Sequence, residues 1–475
     1  DYDEAISYLE KVENAEDSLS QFTSYYLGKS YLMMGRGETT GVFQLESAGM
    51  RDVLKSMKPD TFEDIIAVVA LYRPGPMDNI PAYIRRKHGD EKPDYMHHSL
   101  EGLLTETNGI IIYQEQVMQI AQVLAGYSLG GADLLRRAMG KKIQAEMDEQ
   151  RQIFIDGAGE RGVEKKQAND IFDQVNKFAG YGFNKSHAAA YALVAYQTAY
   201  LKANYPVQFF AASMTLDMGN TDKLNVFRQE LDRLGIPLRP PDINKSGVVF
   251  NVEQEQGAGA EDLGSIRYAL AAVKNVGEGA MQSIVDERTE NGPFTGLDNF
   301  VARLDSQQVN KRQIENLVRV GAFECMVPNR RQVFQCVESI MRHANLAREE
   351  RNSNQISLFG GENIESAAVI ALPDVPEWSP MDRLNEEFDA LGYYLSAHPL
   401  DTYSKSLDKL KVKRIADVLA WRQTGLVKLA GTLLGIKERI SAKGNRFAFV
   451  QFSDPTGSFE ITLFSETLAA ARDLL

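Results

Sequence analysis

The feature that most constrains the fold of this chain is a change in residue pattern that follows Ile243. Before that point, from residue 35 to about residue 235, the sequence predicts helices punctuated by glycine and proline, including one over residues 186–204 that must end ahead of Pro206. After it, strand-like runs and a Gly-rich stretch appear, and alternation typical of β-structure begins beyond Gly425. Since 475 residues exceed what one hydrophobic core usually fills, we predict several domains.

Composition excludes several classes of protein. The hydrophobic share of 44% and the charged share of 25% are typical of globular proteins, and no apolar run is long enough to cross a bilayer. Cys325 and Cys336 match no zinc ligand set and no disulfide framework, and the N-terminus shows no secretory signal. The sequence therefore predicts a protein of a reducing cytoplasm, with no membrane partner and no metal site of its own.

The net charge of −13 argues against a uniformly basic surface, but basic residues are clustered in the segment GGADLLRRAMGKK, which ends at Lys142. If this segment is helical from Ala132, Arg137 and Lys141 stand one turn apart beside Arg136. Two guanidinium forks and the point charges of lysine suit the oxygens of a triphosphate. The alternative is a solvated basic helix end, whose cations complement the helix dipole.

A second cluster lies in FAGYGFNKSHAAAY, residues 178–191. Asn184 or Ser186 can cap the helix that follows. Lys185 and His187 add positive charge to a helix N-terminus, whose free N–H groups favour phosphate. The alternative is a capped helix whose aromatic residues are core, and both interpretations can hold together.

Two shorter segments precede these clusters. Gln44 lies in GVFQLES and Arg73 in LYRPGP. Arg73 can bind a phosphate and Gln44 a base or a sugar, unless each is a buried polar residue that is satisfied at a domain junction. A further segment, YQEQ at residues 113–116, has no role that its residues indicate.

A Gly-Glu-Gly turn at residues 277–279 resembles a helix-hairpin-helix motif. Gly277 and Gly279 would let the backbone approach a phosphate closely enough for its N–H groups to bond directly, which gives contact without sequence preference. Lys274 and Arg288 lie on either side and add charge. The alternative for a lone Gly-x-Gly is a plain helix C-cap.

A weaker second hairpin follows at residues 309–323, where Lys311 and Arg312 are basic. The two hairpins form a tandem pair in the sequence. We therefore expect a DNA-binding unit that includes both of them.

The segment NQISLFG, residues 354–360, is similar to the short peptide by which bacterial replication proteins dock on a sliding clamp. Leu358 and Phe359 would be apolar anchors and Gln355 would fix the peptide by a hydrogen bond. Pentapeptides of this kind also arise by chance. Beyond it, residues 429–464 resemble an OB-fold that is cut before its last strands, with Lys443 and Arg446 in a turn suited to phosphate contact.

In this order, the segments at residues 35–189 resemble the fingers region of the bacterial replicative DNA polymerase III alpha subunit family, and the resemblance extends to about residue 475. It implies template-directed addition of deoxynucleotides to a primer 3′ end. It also implies that the incoming dNTP, primer-template DNA, the sliding clamp and other holoenzyme subunits are partners, in a bacterial cytoplasm. The implied nucleotide contacts are Arg73, Arg136, Arg137, Lys141, Lys142, Asn184, Lys185, Ser186 and His187.

The family uses Mg²⁺ held by carboxylates of a palm domain, and the sequence offers no residue to which that role can be carried over. We therefore expect the metal ligands to lie outside this chain. We also expect the chain alone to be inactive and to bind no cofactor.

We predict a mainly α multidomain fold with a small, truncated all-β OB-fold at the C-terminus. The expected domains are fingers at 35–240, tandem hairpins at 241–342, a linker with the clamp motif and a short helical segment at 343–424, and the partial OB-fold at 425–475. Residues 1–34 instead resemble one tetratricopeptide repeat, because Leu27, Gly28 and Tyr31 match its second helix. This segment is interpreted either as a native fusion or as a joining artefact.

Two other functions compete with the polymerase. A DNA ligase can also pair an OB-fold with hairpins, but it would need a nucleophilic lysine in a Lys-x-Asp-Gly context, and no such tetrapeptide occurs. The other is a non-catalytic, clamp-tethered DNA-binding adaptor or repeat-protein scaffold.

Overall fold

A computed structural model describes residues 18–141, 144–179, 181–254, 264–352, 370–420, 425–441 and 444–475. The chain divides into two compact units, Asp1–Pro206 and Val207–Leu475. Helices predominate in the described residues, which confirms the mainly α prediction, and two small sheets lie in the second unit. No helix in the described ranges is long and apolar enough to cross a membrane.

The first unit is entirely helical in its described part, apart from loops and short 3-10 turns. Its α-helices are α1 Ser18–Gly35, α2 Ala48–Met57, α3 Phe62–Leu71, α4 Ile80–Lys87, α5 Glu101–Leu104, α6 Gln114–Ala125, α7 Leu129–Lys141, α8 Gln144–Glu160, α9 Lys165–Ala179 and α10 Lys185–Asn204.

Helix α10 organises the first of two cores in this unit. Its buried face is a stripe of alanines at spacings of three and four, and such small side chains let α1 and α3 pack closely against it. The stripe consists of Ala188, Ala192, Ala195, Ala199 and Ala203. Helix α3 begins in a capping box in which Thr61 accepts from the N–H of Asp64, and its remaining residues are almost wholly buried.

Helices α6 to α9 enclose the second core of the first unit. Phe154 and Phe172 meet there at 5.5 Å between ring centroids. Tyr113 and Phe183 pair as an isolated parallel bridge, which joins the start of α6 to the loop ahead of α10. The two cores therefore come together where the predicted nucleotide segments lie.

The second unit contains eleven α-helices and six strands among its described residues. The helices are α11 Pro206–Leu216, α12 Thr221–Leu234, α13 Glu278–Asn291, α14 Leu297–Arg303, α15 Lys311–Arg319, α16 Arg330–Gln335, α17 Val337–Asn352, α18 Pro380–Leu391, α19 Ser404–Lys409, α20 Ile415–Ala420 and α21 Ser465–Ala471. The strands are β1 Leu238–Arg239, β2 Asn251–Glu253, β3 Ser265–Arg267, β4 Thr432–Ile440, β5 Arg446–Asp454 and β6 Gly457–Leu463.

One large core runs from α11 to the residues after α18. Phe210 and Phe227, which we expected in the fingers, pack in this core with the hairpin residues, so the compact unit begins at Val207 and not near residue 240. Part of the predicted linker also belongs to it: α17 continues to Asn352, and Ile370 and Tyr393 are buried. The described residues 343–352 and 370–393 therefore contribute to this core and do not form a free linker.

The second sheet is an antiparallel meander in the order β4-β5-β6, followed by α21. Its core side carries Ala448 and Val450 of β5. Phe447 and Phe449 lie on the opposite face, half-buried, with their rings 5.4 Å apart. Because successive side chains of a strand point to opposite faces, these two rings lie away from Ala448 and Val450 and form an aromatic face on the sheet.

His398 joins this sheet to the rest of its unit. The N–H of Leu400 donates to its Nδ1 at 3.2 Å, so Nδ1 carries no proton and Nε2 donates to Ser453 Oγ at 3.0 Å. Burial lowers the pKa of His398, with Arg228 acting in the same direction, and this outweighs the carboxylates of Asp401 and Asp454. Protonation at Nδ1 would place a second N–H opposite the N–H of Leu400, so that two donors would face each other without an acceptor.

We expect the second unit to lose stability as the pH falls. Because the pKa of His398 is lower in the folded chain, the unfolded chain takes up the proton first, and stability present above about pH 6.5 is lost below it. Urea unfolding at several pH values, followed by tryptophan fluorescence, measures this unit alone, since Trp378 and Trp421 both fall in it. The variant His398→Gln cannot titrate and should lose less stability over the same pH range; equal losses would contradict the assignment.

Candidate nucleic-acid interface

The loop ahead of α10 is held against the start of α6 by three hydrogen bonds. Phe183 N–H donates to the carbonyl of Ile112 at 3.1 Å, and Gln114 N–H donates to the carbonyl of Phe183 at 2.9 Å. The side-chain amide of Gln114 also donates to the carbonyl of Gly182 at 3.0 Å. A Cβ at Gly182 would stand 3.2 Å from Gln114 Cγ, so this close approach favours glycine.

Arg73 lies against the same loop. Its Nε donates to the carbonyl of Ala70 at 2.9 Å, its Nη2 donates to the carbonyl of Tyr181 at 3.0 Å, and its guanidinium carbon is 4.1 Å from the ring centroid of Phe183. Burial lowers the pKa of Arg73. Arg73 therefore joins the end of α3 to the loop ahead of α10. This agrees with the alternative interpretation, in which Arg73 is a polar residue satisfied within the protein.

A cavity of about 420 Å³ opens beside Arg73. It is lined by Gln44, Met50, Val69, Tyr72, Arg73, Phe183, His187 and Tyr191. The structure thus brings together three residues that the sequence singled out in separate segments, Gln44, Arg73 and His187. Gln44 has a positive φ of 59°, which is uncommon for a residue other than glycine and frequent at functional sites.

His187 lies within a run of aromatic rings. Its centroid is 5.3 Å from that of Phe183 and 4.5 Å from that of Tyr191. His187 and the neighbouring Ser186 are exposed, so both face solvent at the mouth of the first helical turn.

The basic segment is helical, as predicted, within α7. Arg136 donates to Asp133 Oδ1 from Nε and Nη2, at 3.0 and 2.8 Å, and reaches Gln114 Oε1 at 3.4 Å. Arg137 Nε lies 2.8 Å from Asp133 Oδ2. Because Gln114 also holds the loop at Gly182, Arg136 is connected to that loop by a single residue. Lys141 ends α7, and Lys142 lies outside the described residues.

The N-terminus of α10 is occupied in a way that the sequence did not predict. Asn184 is the N-cap, as expected, and accepts from the N–H of His187 at 2.8 Å. However, the N–H of Lys185 donates to both carboxylate oxygens of Glu115, at 3.1 and 3.0 Å, and Asn184 Nδ2 donates to Glu115 at 2.9 Å. The Lys185 ammonium is 2.7 Å from Glu106. The expectation that this helix N-terminus is free for phosphate is therefore wrong for the N–H of Lys185.

Sequence reasoning missed the residues that hold these groups. Glu115 and Gln114 belong to the YQEQ segment, which had no assigned role, and Asp133 was passed over inside the basic segment. Asp133 carried a local signal, since carboxylates three and four residues before arginines pair with them on a helix. Glu115 carried none, because Lys185 is 70 residues away in the chain.

The first hairpin presents an uncapped helix start. Gly277 precedes α13 with a positive φ of 81°, and no side chain caps the N–H groups of this first turn. A Cβ at Gly279 would meet no heavy atom within 4 Å, so this glycine faces open space. The exposed backbone at residues 277–279 is suited to direct contact with a phosphate.

The second hairpin is packed directly against the first. Gln313 and Asn316 of α15 donate to the carbonyls of Val276 and Lys274, the latter bond at 2.7 Å. The same Gln313 completes the capping box of α15 with Asn310. The predicted tandem arrangement is therefore one structural unit.

The basic residues around the hairpins differ in how they are engaged. Arg288 donates to the carbonyls of Ile243, at 2.6 Å, and of Ser246, and burial lowers its pKa. Arg288 is thus a structural residue here, which weakens its assignment to DNA. Lys274 is half-buried, whereas Arg312 is exposed.

Lys311 is exposed but already paired, with its ammonium 2.6 Å from Glu338 and 3.8 Å from Glu315. Arg446 opens β5 and is exposed. Lys443, and Gln355, Leu358 and Phe359 of the clamp motif, lie outside the described residues. Each of these assignments stays a prediction.

We find no group of three or more His, Cys, Asp and Glu side chains placed to hold a metal ion in the part of the chain that the structure describes. The expectation that the Mg²⁺ ligands lie outside this chain stays a prediction, because one or two carboxylates can hold Mg²⁺ together with substrate phosphates.

Two family models match the chain. Residues 9–162 match the bacterial DNA polymerase III alpha subunit finger domain, and residues 235–333 match a helix-hairpin-helix motif. The first match begins at residue 9 and so includes most of the segment that we likened to a tetratricopeptide repeat. Helix α1 also packs against α10 in the first core. The interpretation of residues 1–34 as a separate repeat is therefore wrong from residue 9 onward.

Curated relatives extend the similarity to nearly the whole chain. The DNA polymerase III subunit alpha of Caulobacter vibrioides is 49% identical over 449 residues, which is 94% of this chain and 38% of the relative. Those of Pasteurella multocida and Rickettsia bellii are 43% and 42% identical over 94% and 96% of the chain, and 38% and 40% of the relatives. The chain thus spans about two fifths of the length of the curated relatives that it matches.

Proposed function

The chain belongs to the family of bacterial DNA polymerase III alpha subunits, and from this premise we propose that it is part of a replicative DNA polymerase. In this proposal it binds the incoming dNTP, primer-template DNA and the sliding clamp. The activity of the whole protein is the addition of deoxynucleotides to a primer 3′ end. Its place is the bacterial cytoplasm, with other holoenzyme subunits as partners.

One observation carries the nucleotide part of the proposal. Arg73 and His187 line one cavity, and Arg136 is joined through Gln114 to the loop that forms its wall. Three basic residues from distant segments thus lie at the loop ahead of α10: Arg73 and His187 directly, and Arg136 through Gln114. Guanidinium groups and aromatic rings at one place are the chemistry that binds the phosphates and the base of a nucleotide.

The proposed chemistry also needs ligands for metal ions. When bound, such ions would supply positive charge at the primer hydroxyl and at the leaving oxygens. We propose that the ligands of those ions lie outside this chain, and that residues described here bind and orient the nucleotide and the DNA.

The DNA part of the proposal is supported by the uncapped turn at Gly277 and by the tandem packing through Gln313. Backbone N–H groups that meet phosphate oxygens position a duplex without reading its bases. Lys274, Lys311, Arg312, Lys443 and Arg446 are proposed as additional phosphate contacts, which act through charge.

We expect Gly279→Val to weaken binding of this chain to a DNA duplex about tenfold, whatever the base sequence, because a branched side chain would block the approach of the backbone to phosphate. The slope of log affinity against log salt concentration should fall in magnitude by about one, because about one phosphate contact is lost. Fluorescence anisotropy between about 50 and about 200 mM salt measures both.

Gly279 is a better test position than Gly277, whose positive φ makes any substitution strained. Gly296→Val is the control, because a Cβ at this glycine would also meet no heavy atom within 4 Å, and its extended backbone just ahead of α14 accepts any residue. If Gly279→Val and Gly296→Val bind DNA equally well and with equal salt slopes, the hairpin is structural only.

A further inference from the structure

The cations proposed to bind nucleotide already have oxyanion partners within the protein. Asp133 holds both arginines of α7, since Arg136 Nη2 reaches its Oδ1 at 2.8 Å and Arg137 Nε reaches its Oδ2 at 2.8 Å. These hydrogen bonds and charges lower the pKa of Asp133, so it is ionised at neutral pH. One carboxylate therefore occupies the two guanidinium groups that a triphosphate would use.

A second carboxylate acts at the start of α10. Glu115 accepts from the N–H of Lys185 and from Asn184 Nδ2, at the helix N-terminus that the sequence predicts as a phosphate site. The two carboxylates lie on successive helices, and Gln114, next to Glu115, contacts Arg136. The two carboxylates thus occupy donors of neighbouring segments.

These ion pairs lie at the surface and can exchange partners. The side chains of Arg137 and Asp133 are 63% and 33% exposed. Exposed ion pairs contribute little to stability because water screens them. A triphosphate offers several oxyanions and more negative charge than one carboxylate, so it competes well for the same guanidinium forks.

We propose that Asp133 and Glu115 are resident oxyanions, which the phosphates of an incoming nucleoside triphosphate displace from Arg136 and Arg137 and from the backbone N–H of Lys185. The carboxylates lower the positive charge of the empty site and set its affinity for phosphate below the value that the donors alone would give. This inference rests on the proposed function, because it concerns the regulation of the same nucleotide site.

The sign of one measurement separates this role from a structural one. If the carboxylates only orient the arginines, then removing their charge should weaken nucleotide binding. If they are displaced, removing their charge should strengthen it. Asp133→Asn and Glu115→Gln are suitable variants, because each amide keeps a hydrogen-bond acceptor and the shape of the side chain while it loses the charge.

The test is isothermal titration of the chain with dATP, and separately with inorganic tripolyphosphate, at low and high salt. We expect each variant to bind both ligands about three- to tenfold more tightly than the parent, with the gain reduced at high salt, because screening acts on exposed charges. Glu160→Gln is the control: it removes the same charge from an exposed residue at the end of α8, and it should leave both affinities unchanged.

Several outcomes would overturn the proposal. They are unchanged or weaker binding in Asp133→Asn and Glu115→Gln, an equal gain in Glu160→Gln, or a gain for dATP without one for tripolyphosphate. Arg136→Ala with Arg137→Ala tests the proposed nucleotide site separately. If this variant binds as the parent does while Glu115→Gln binds more tightly, the arginine assignment fails and the proposed displacement of Glu115 from the N–H of Lys185 stands. Absence of binding in the parent and in every variant would contradict both.

Discussion

Replacing Arg136 and Arg137 together with alanine is expected to lower kcat/KM for the incoming nucleotide by roughly 10²- to 10⁴-fold in the proposed polymerase. Each guanidinium is proposed to form charge-assisted hydrogen bonds with the triphosphate, and each such bond contributes about 1.5–3 kcal/mol. Steady-state primer extension with varied dNTP gives the ratio. Loss of contacts that are equally strong in the ground and transition states would raise KM alone, whereas loss of contacts made only in the transition state would lower kcat.

The control for this variant should remove the same number of positive charges at another place in the same unit. Lys165→Ala with Lys166→Ala removes two adjacent positive charges from exposed positions at the start of α9. It should leave kcat/KM near the parent value. Parent-like nucleotide kinetics in the arginine variant, with folding intact, would show that Arg136 and Arg137 form no more than a solvated helix end.

Replacing Leu358 and Phe359 with alanine is expected to reduce affinity for a bacterial sliding clamp by at least about 100-fold. A short peptide gains its binding energy from few buried atoms, and these two side chains are its proposed apolar anchors. Titration calorimetry of the chain with the clamp measures the loss. Gln355→Ala should weaken binding less, because it removes one hydrogen bond.

Ser357→Ala is the matched control for the clamp peptide, since it changes a residue between Gln355 and the proposed apolar anchors without removing apolar surface. DNA binding should be the same in all of these variants. Clamp affinity retained after loss of both Leu358 and Phe359 would make the match to the docking peptide a coincidence.

Local patterns predicted the helices well because their determinants are local. The basic segment forms α7, Asn184 caps α10, and α10 ends before Pro206, as the spacing, capping residue and proline required. The hairpin at Gly277 was predicted for the same reason, since a positive φ at one position favours glycine whatever surrounds it.

Contacts between segments that are distant in the chain could not be predicted from the sequence. The division of the chain at Val207 depends on which core Phe210 and Phe227 join, and a helical pattern shows which face is buried but not against what. The same limit applies to α1: its helical pattern is local, whereas its membership of the first core depends on contact with α10.

The sequence by itself determined the family, the mainly helical fold and the residues that could contact nucleotide and DNA, because motifs and periodicity are written in neighbouring residues. Only the tertiary structure decided how those residues are engaged. It gave Arg288 to backbone carbonyls, placed Asp133 between Arg136 and Arg137, and set Glu115 on the N–H of Lys185. The reason is physical. A polar or charged group bonds to the oppositely charged group or the carbonyl that folding places next to it, and for Arg288 and Lys185 these partners, Ile243 and Glu115, are distant in the sequence.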